Sequence, residues 1–352
     1  MNPQLIGQGA YGCVYYPSYN CKGTVSKIKN VSKLVVDNET TRNEYVIGKY
    51  IKKNIKNYDN YFIIQESRCK INTNIFLSIK NEKCEMPLNK NKSYVLLHSK
   101  YLKSKELADY IQNYEITNKQ LLKWFISIGK RIKLLQNINI IHMDMHFANI
   151  LVGENMKLYV IDFGLALKQN LFFKNDELNL EYLKLNWFFP RLSWESWTLE
   201  YNLIGMMINE NKIITKTLIK KSIEEYYNSN KKIKFLFPNK KIYIKSSYRF
   251  FKQYEKMDSV SIIKDLLKYW RTWDYYKLAI HYTSIIINHK IKIEPVLELL
   301  RIMIDPSPEN RFTGKQIIKR MKNIIDNEYI SKKKKISIQI PDISVSIKTL
   351  ML

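Results

Sequence analysis

Before residue 100 the apolar and β-branched residues come in short runs: Leu5-Ile6, Val14-Tyr15, and positions 24–28, 61–64, 75–79 and 94–97. Runs of that length, bounded by Gly, Asn and Lys, predict β-strands. Residues 40–53 interrupt them with a helical pattern. Beyond residue 105 the spacing shifts to the 3.6-residue period, and Leu121, Leu122, Phe125, Ile128, Ile132 and Leu135 fall on one face of a long helix. Thr117 is its expected N-cap and Asn139 its limit. A β-rich segment followed by a helical one predicts an α+β chain of two lobes, 1–102 and 103–330, with a basic tail at 331–352 opened by Lys332 to Lys335.

Composition narrows the picture. The 352 residues are 45% hydrophobic and 26% charged, which excludes a mostly disordered chain. Lys and Arg number 58 against 32 Asp and Glu, a formal charge of +26, yet only nine of those cations are arginine. Lysine, asparagine, isoleucine and tyrosine share AT-rich codons, so genome composition accounts for much of the excess. Direct nucleic-acid binding is therefore disfavoured, because guanidinium forks serve it better than ammonium groups. Attraction to acidic or nucleic-acid-associated protein partners remains. The four cysteines, Cys13, Cys21, Cys69 and Cys84, form no CxxC pair and are too few for a disulfide framework, which predicts a reducing compartment. No apolar run is long enough for a membrane span and none at the start has signal-peptide form, so the expectation is a soluble intracellular protein without membrane contact.

Three segments carry candidate chemistry. Gly7-Gln8-Gly9-Ala10-Tyr11-Gly12-Cys13-Val14 follows an apolar strand signal. Glycines there allow a sharp turn and a close approach of backbone N–H groups to anionic oxygens. His142-Met143-Asp144-Met145-His146-Phe147-Ala148-Asn149 precedes a short hairpin pattern, and Asp162-Phe163-Gly164 follows it.

In this order the three segments resemble the protein-kinase set: a glycine loop G-x-G-x-x-G-x-V, a catalytic loop H-x-D-x-x-x-x-N and D-F-G. The resemblance extends over residues 4–325 and implies a bilobal fold that binds ATP and Mg²⁺ and transfers phosphate to Ser or Thr of a protein substrate. It implies Asp144 as the catalytic base, Asn149 and Asp162 as metal ligands, and His142 as a packing residue. Ile6, Gly7, Gly9, Gly12, Val14 and Val25 would enclose the nucleotide. Lys100 to Leu102 resembles the hinge that binds the base. For the phosphate-anchoring lysine, Lys27 in Thr24-Val25-Ser26-Lys27 is expected rather than Lys29, because strand alternation would otherwise put a charge over the adenine. Glu44 shares a helical face with Ile47, Gly48 and Ile51 and is the expected partner of that lysine.

The pattern also has departures. Met143 stands where an arginine usually precedes the catalytic aspartate, and residues 165–192 contain no Ser or Thr, which together imply an enzyme not switched on by activation-loop phosphorylation. His146 occupies the usual lysine position and is similar to the loop of small-molecule kinases such as aminoglycoside kinases, an alternative substrate class. A binding scaffold with a decayed site is a third reading. Asp274 resembles the helix aspartate that braces the catalytic loop, with Glu200 as the other candidate. Arg311 resembles the late D-P-x-x-R arginine, with Glu195 offered as its partner. Placing the brace at Asp274 makes residues 195–270 an insertion. Compact lysine- and asparagine-rich kinases of this kind resemble those of large DNA viruses, which would place the protein in a host cytoplasm or a virion.

Overall fold

The computed structural model describes residues 2–9, 12–80, 83–87, 89, 91–289, 293–327 and 335–336. Ala10 and Tyr11 of the glycine loop lie outside the described residues, as does all of the basic tail except 335–336. The chain is α+β and forms two compact units. One runs to Asn113 and includes Ala148–Ala166; the other holds Tyr114–Phe147 and, among the described residues, the chain from Leu167. The units therefore part later than the expected 102–103 boundary, and the first recruits a distant segment. Strand pairing accounts for this. A hairpin of β9 (Ile150–Val152) and β10 (Leu158–Val160) pairs through β9 with β6 (Lys105–Glu106), and Val160 bridges to Phe62.

The first unit is built on an antiparallel sheet of order β1-β2-β3-β5-β4, with β1 Gln4–Gly9, β2 Gly12–Tyr16, β3 Asn30–Val36, β4 Ser67–Ile71 and β5 Tyr94–Lys100. Alternation of side chains divides its two faces. Cys13, Leu34, Leu96 and Cys69 stand opposite one another across four strands. They form a core with Phe76 and Ile79 of α2 (Thr73–Ile79). On the other face Val35, Val95 and Leu97 pack against Tyr45 of α1 (Glu39–Asn54). A capping box between Asn38 and Thr41 starts α1 at its predicted place.

Several expectations fail here, and residues 61–64 form no strand beyond the Phe62 bridge. Residues 24–28 are not a strand, because the Asn20 carboxamide accepts from Lys22 N at 2.9 Å and Thr24 N at 3.2 Å and bends the chain into a turn. The strand lies six residues later, in β3. Residues 75–79 belong to α2, since the Asn72 side chain caps Ile75 N and buries Phe76 and Ile79 at helical spacing. All four cysteines are paired. Cys13 bonds Cys84 and Cys21 bonds Cys69, so the expectation of free thiols is corrected. Cysteines too distant in sequence to suggest pairing are brought together by the outer sheet face and the segment after α2.

The second unit is helical: β7 (Ile116–Thr117) leads into α4 (Asn118–Asn137), and β8 (Ile140–Ile141) pairs with β11 (Leu167–Lys168). Between β6 and β7, α3 (Leu107–Asn113) closes the first unit. Thr117 caps α4 as expected, and its predicted apolar face is buried in full. There follow α5 (Leu180–Asn186), α6 (Leu199–Asn209), α7 (Lys216–Ser229), α8 (Lys231–Leu236), α9 (Lys240–Phe251) and α10 (Ser259–Leu266). The last helices are α11 (Trp270–Asn288), α12 (Glu294–Met303) and α13 (Gly314–Asp326). Helix α11 is buried on all sides, Trp273, Tyr275, Tyr276, Leu278 and Tyr282 included, which makes it the centre of this unit. Tyr275 and Tyr282 tie it to α4 by donating to Gly129 O (2.8 Å) and Leu121 O (2.9 Å).

Candidate active site

In the first unit, β1 and β2 form the glycine hairpin with Gly9 opposite Gly12. A Cβ on Gly12 would lie 2.1 Å from Leu34 O, so close packing against β3 admits no side chain there. Ile6 sits at a register shift between Leu5 and Gly7 and is exposed, while Val14 stands opposite Lys33.

Lys33 is the residue around which the first unit's cluster is built. Its Nζ lies 3.0 Å from Glu44 Oε2 and 3.3 Å from Asp162 Oδ2. Glu44 is buried in α1 and accepts a further bond from Gln65 Nε2 at 2.9 Å. Burial alone would lower the pKa of Lys33, but the two carboxylates raise it above its ordinary value and the side chain stays charged. Lys27, by contrast, is exposed in the bend before β3, and Val25 is exposed beside it. Lys33, not the expected Lys27, is thus the lysine that pairs with Glu44, and Val31, not Val25, stands two positions before it on the strand. The missed signal was the run Val31-Ser32-Lys33-Leu34-Val35-Val36, a stronger strand pattern than residues 24–28.

Asp162 adopts φ +59°, a left-handed conformation uncommon outside glycine, and its Oδ1 accepts from Gly164 N at 3.3 Å. The segment is pinned from α1, where the Asn43 carboxamide donates to Gly164 O (2.9 Å) and Ala166 O (2.8 Å). Phe163 is buried edge-on to Phe62. A Cβ on Gly164 would meet Thr40 Cγ2 at 2.8 Å. Asn149 is buried at the other end of the hairpin, its carbonyl accepting from Ile161 N at 3.0 Å. A carboxylate and a carboxamide are oxygen donors of the hard kind that suits Mg²⁺, which is commonly held by one or two protein oxygens plus substrate phosphates. The donor set fits that ion. At the far edge, Lys100 ends β5, contacts Asp59 at 3.5 Å, and lines a cavity with Leu102, Phe62, Ile64 and Tyr159.

The second unit presents Asp144. Asp274 of α11 accepts from His142 N (2.8 Å) and Met143 N (3.0 Å), holding the loop through its backbone. Met143 is buried at φ +61°, and the fully buried His142 ring accepts from Asp144 N at 3.3 Å. His146 Nε2 lies 3.4 Å from Asp144 Oδ2. Burial would raise the Asp144 carboxyl, but the His146 contact, with Lys277 adding to it, outweighs it and holds the group at about 2. Arg311 donates to Glu200, not to Glu195, whose carboxylate is taken by Lys232. Glu200 also accepts from Trp273 Nε1 at 3.1 Å. It is thus the partner of Arg311, and α7–α10 lie between it and Asp274.

The family model for the protein kinase domain matches residues 2–183, more than half of the chain. The protein belongs to the protein kinase family. Among its relatives the kinase is 24% identical over 164 residues to testis-specific serine/threonine-protein kinase 4 of Homo sapiens, a match covering 46% of this chain and 43% of that protein. It is 25% identical over 187 residues to mitogen-activated protein kinase 7 of Arabidopsis thaliana, covering 52% and 44%. The chain spans less than half the length of the curated relatives it matches. Asp274 and Arg311 lie beyond residue 183, the end of the matched range.

Proposed function

We propose that the protein is an ATP- and Mg²⁺-dependent kinase that phosphorylates Ser or Thr of protein substrates. The observation that carries this reading is the ion cluster of Lys33, Glu44 and Asp162. A scaffold has no use for a half-buried lysine fixed between two carboxylates, whereas phosphate anchoring needs that cation held in place.

Mg²⁺, when bound, supplies neutralisation of the phosphate oxygens, and Asp162 and Asn149 are the residues that would hold it. Lys33 orients the phosphates, and Glu44 fixes Lys33. Asp144 receives the acceptor hydroxyl: the bond from the hydroxyl oxygen to the γ-phosphorus forms, the bond from that phosphorus to the bridging oxygen breaks, and ADP leaves with the electron pair. The hydroxyl proton passes to Asp144. A carboxylate near pKa 2 is a weak base, so its main contribution is orientation, with proton transfer late in a loose transition state. Tyr182 is the one hydroxyl residue in 165–192, and its oxygen accepts from Lys168 N at 2.8 Å in a partly buried setting. This supports an enzyme that needs no activation-loop phosphate.

Radiolabelled ATP offered with casein or a basic protein, and in parallel with aminoglycosides and lipid alcohols, tests the substrate class. Labelling of protein Ser or Thr is the expected result. Labelling of the small molecules alone would replace this reading with the one His146 suggests.

A further inference from the structure

Helix α11 carries a second polar residue one turn beyond Asp274. Lys277 is 3% exposed in the centre of the second unit. Among the described residues its ammonium has no hydrogen bond or contact ion pair. It lies 5.8 Å from the centre of the Trp197 ring and is attracted by Asp144 and Asp274. The Asp274 carboxylate is already committed to the amides of His142 and Met143. Burying an ammonium without a hydrogen-bonded or directly contacting anion costs several kcal/mol, which the Trp197 ring offsets only in part, and an apolar side chain of similar size would pack there more stably. Packing therefore does not account for Lys277.

The catalytic loop supplies the complementary observation. Asp144 has His146 beside it where the family resemblance expects a permanently charged lysine two residues on. We propose that Lys277 is the cation of the phosphoryl-transfer site, neutralising the transferred phosphoryl group beside Asp144 from the helix that braces the loop. The inference rests on the kinase reading above and relocates one charge of that site from the loop to α11. A cation fixed in a low-dielectric interior acts more strongly on developing charge than one in water.

The test uses the full chain as wild type, Lys277→Met, the double variant Lys277→Met with His146→Lys, and Asp144→Asn. Rates of transfer from ATP to casein, ATP affinity by equilibrium binding, and thermal melting are measured for each. Lys277→Met is expected to lower kcat by about 10²- to 10³-fold, the loss typical of one charge-stabilising group. Its ATP affinity should be kept, and its melting temperature should be equal or higher. Returning a lysine to position 146 should recover at least about tenfold, a rescue that a structural role would not produce. Wild-type kcat in Lys277→Met, or a loss without rescue in the double variant, would overturn the inference while leaving the kinase reading intact. A wild type no faster than Asp144→Asn would remove the kinase reading itself, and this inference with it.

Discussion

Arg311 and Glu200, 111 residues apart, meet in a two-pronged ion pair with both side chains buried, the guanidinium 5.0 Å above the Tyr276 ring. This pair joins the start of α6 to the segment before α13. Its charges left water to form it, so removing one partner leaves the other buried and alone. Arg311→Met should destabilise the fold by about 3–5 kcal/mol, while Arg311→Met with Glu200→Leu should recover part of that loss. Urea denaturation of the three proteins checks this, and a single variant as stable as wild type would contradict the pairing.

Lys33 and Lys27 are separated by six positions and by opposite expectations. Lys33→Met should cost about 10²-fold or more in phosphate transfer, as loss of a fixed charge at the site implies. Lys27→Met, at an exposed bend, should leave turnover close to wild type. Steady-state kinetics on the two variants decide between them.

The pH profile has a predicted shape. Asp144, at about 2 against an ordinary 3.8, is ionised throughout the working range and gives no acid limb above about pH 3. Burial lowers Lys277 from 10.5 to about 8, with Asp144 and Asp274 opposing the shift. His281, one turn further along α11, is half-buried and held at about 3 by burial among cationic neighbours, so it does not titrate near neutrality. Transfer should therefore fall as pH rises through about 8, and Lys277→Met should lack that limb. Stability runs the other way. The unfolded chain holds the lysine proton up to 10.5 and the folded one only to about 8, so this group's contribution to stability should increase with pH between the two.

The cystines make a separate prediction. Non-reducing peptide mapping should find Cys13 linked to Cys84 and Cys21 to Cys69, with no free thiol before reduction. Cys84→Ser opens a 71-residue separation and should lower stability by about 2–4 kcal/mol. Four titratable thiols in the unreduced protein would contradict it.

What the sequence made legible was local. The glycine hairpin, the 142–149 loop, the 162–164 segment and the α4 face are each set within a few residues, by motif or by period. Helical spacing places Glu44 on the buried face with Ile47 and Ile51, while its lysine partner is set across the sheet. What escaped depended on contacts across the chain. Choosing Lys33 over Lys27 requires knowing that Asn20 folds residues 20–24 into a turn, and Arg311 chooses Glu200 over Glu195 only through three-dimensional packing. The four cysteines carry no pairing signal because the bonded partners stand 71 and 48 residues apart in sequence.

The most direct measurement is phosphate transfer from radiolabelled ATP to protein Ser or Thr by the purified full chain, set beside Asp144→Asn. The account predicts transfer by the wild type and a reduction of about 10²- to 10⁴-fold in the variant, the range for loss of a positioned acid–base group. Equal labelling by the two proteins would contradict it.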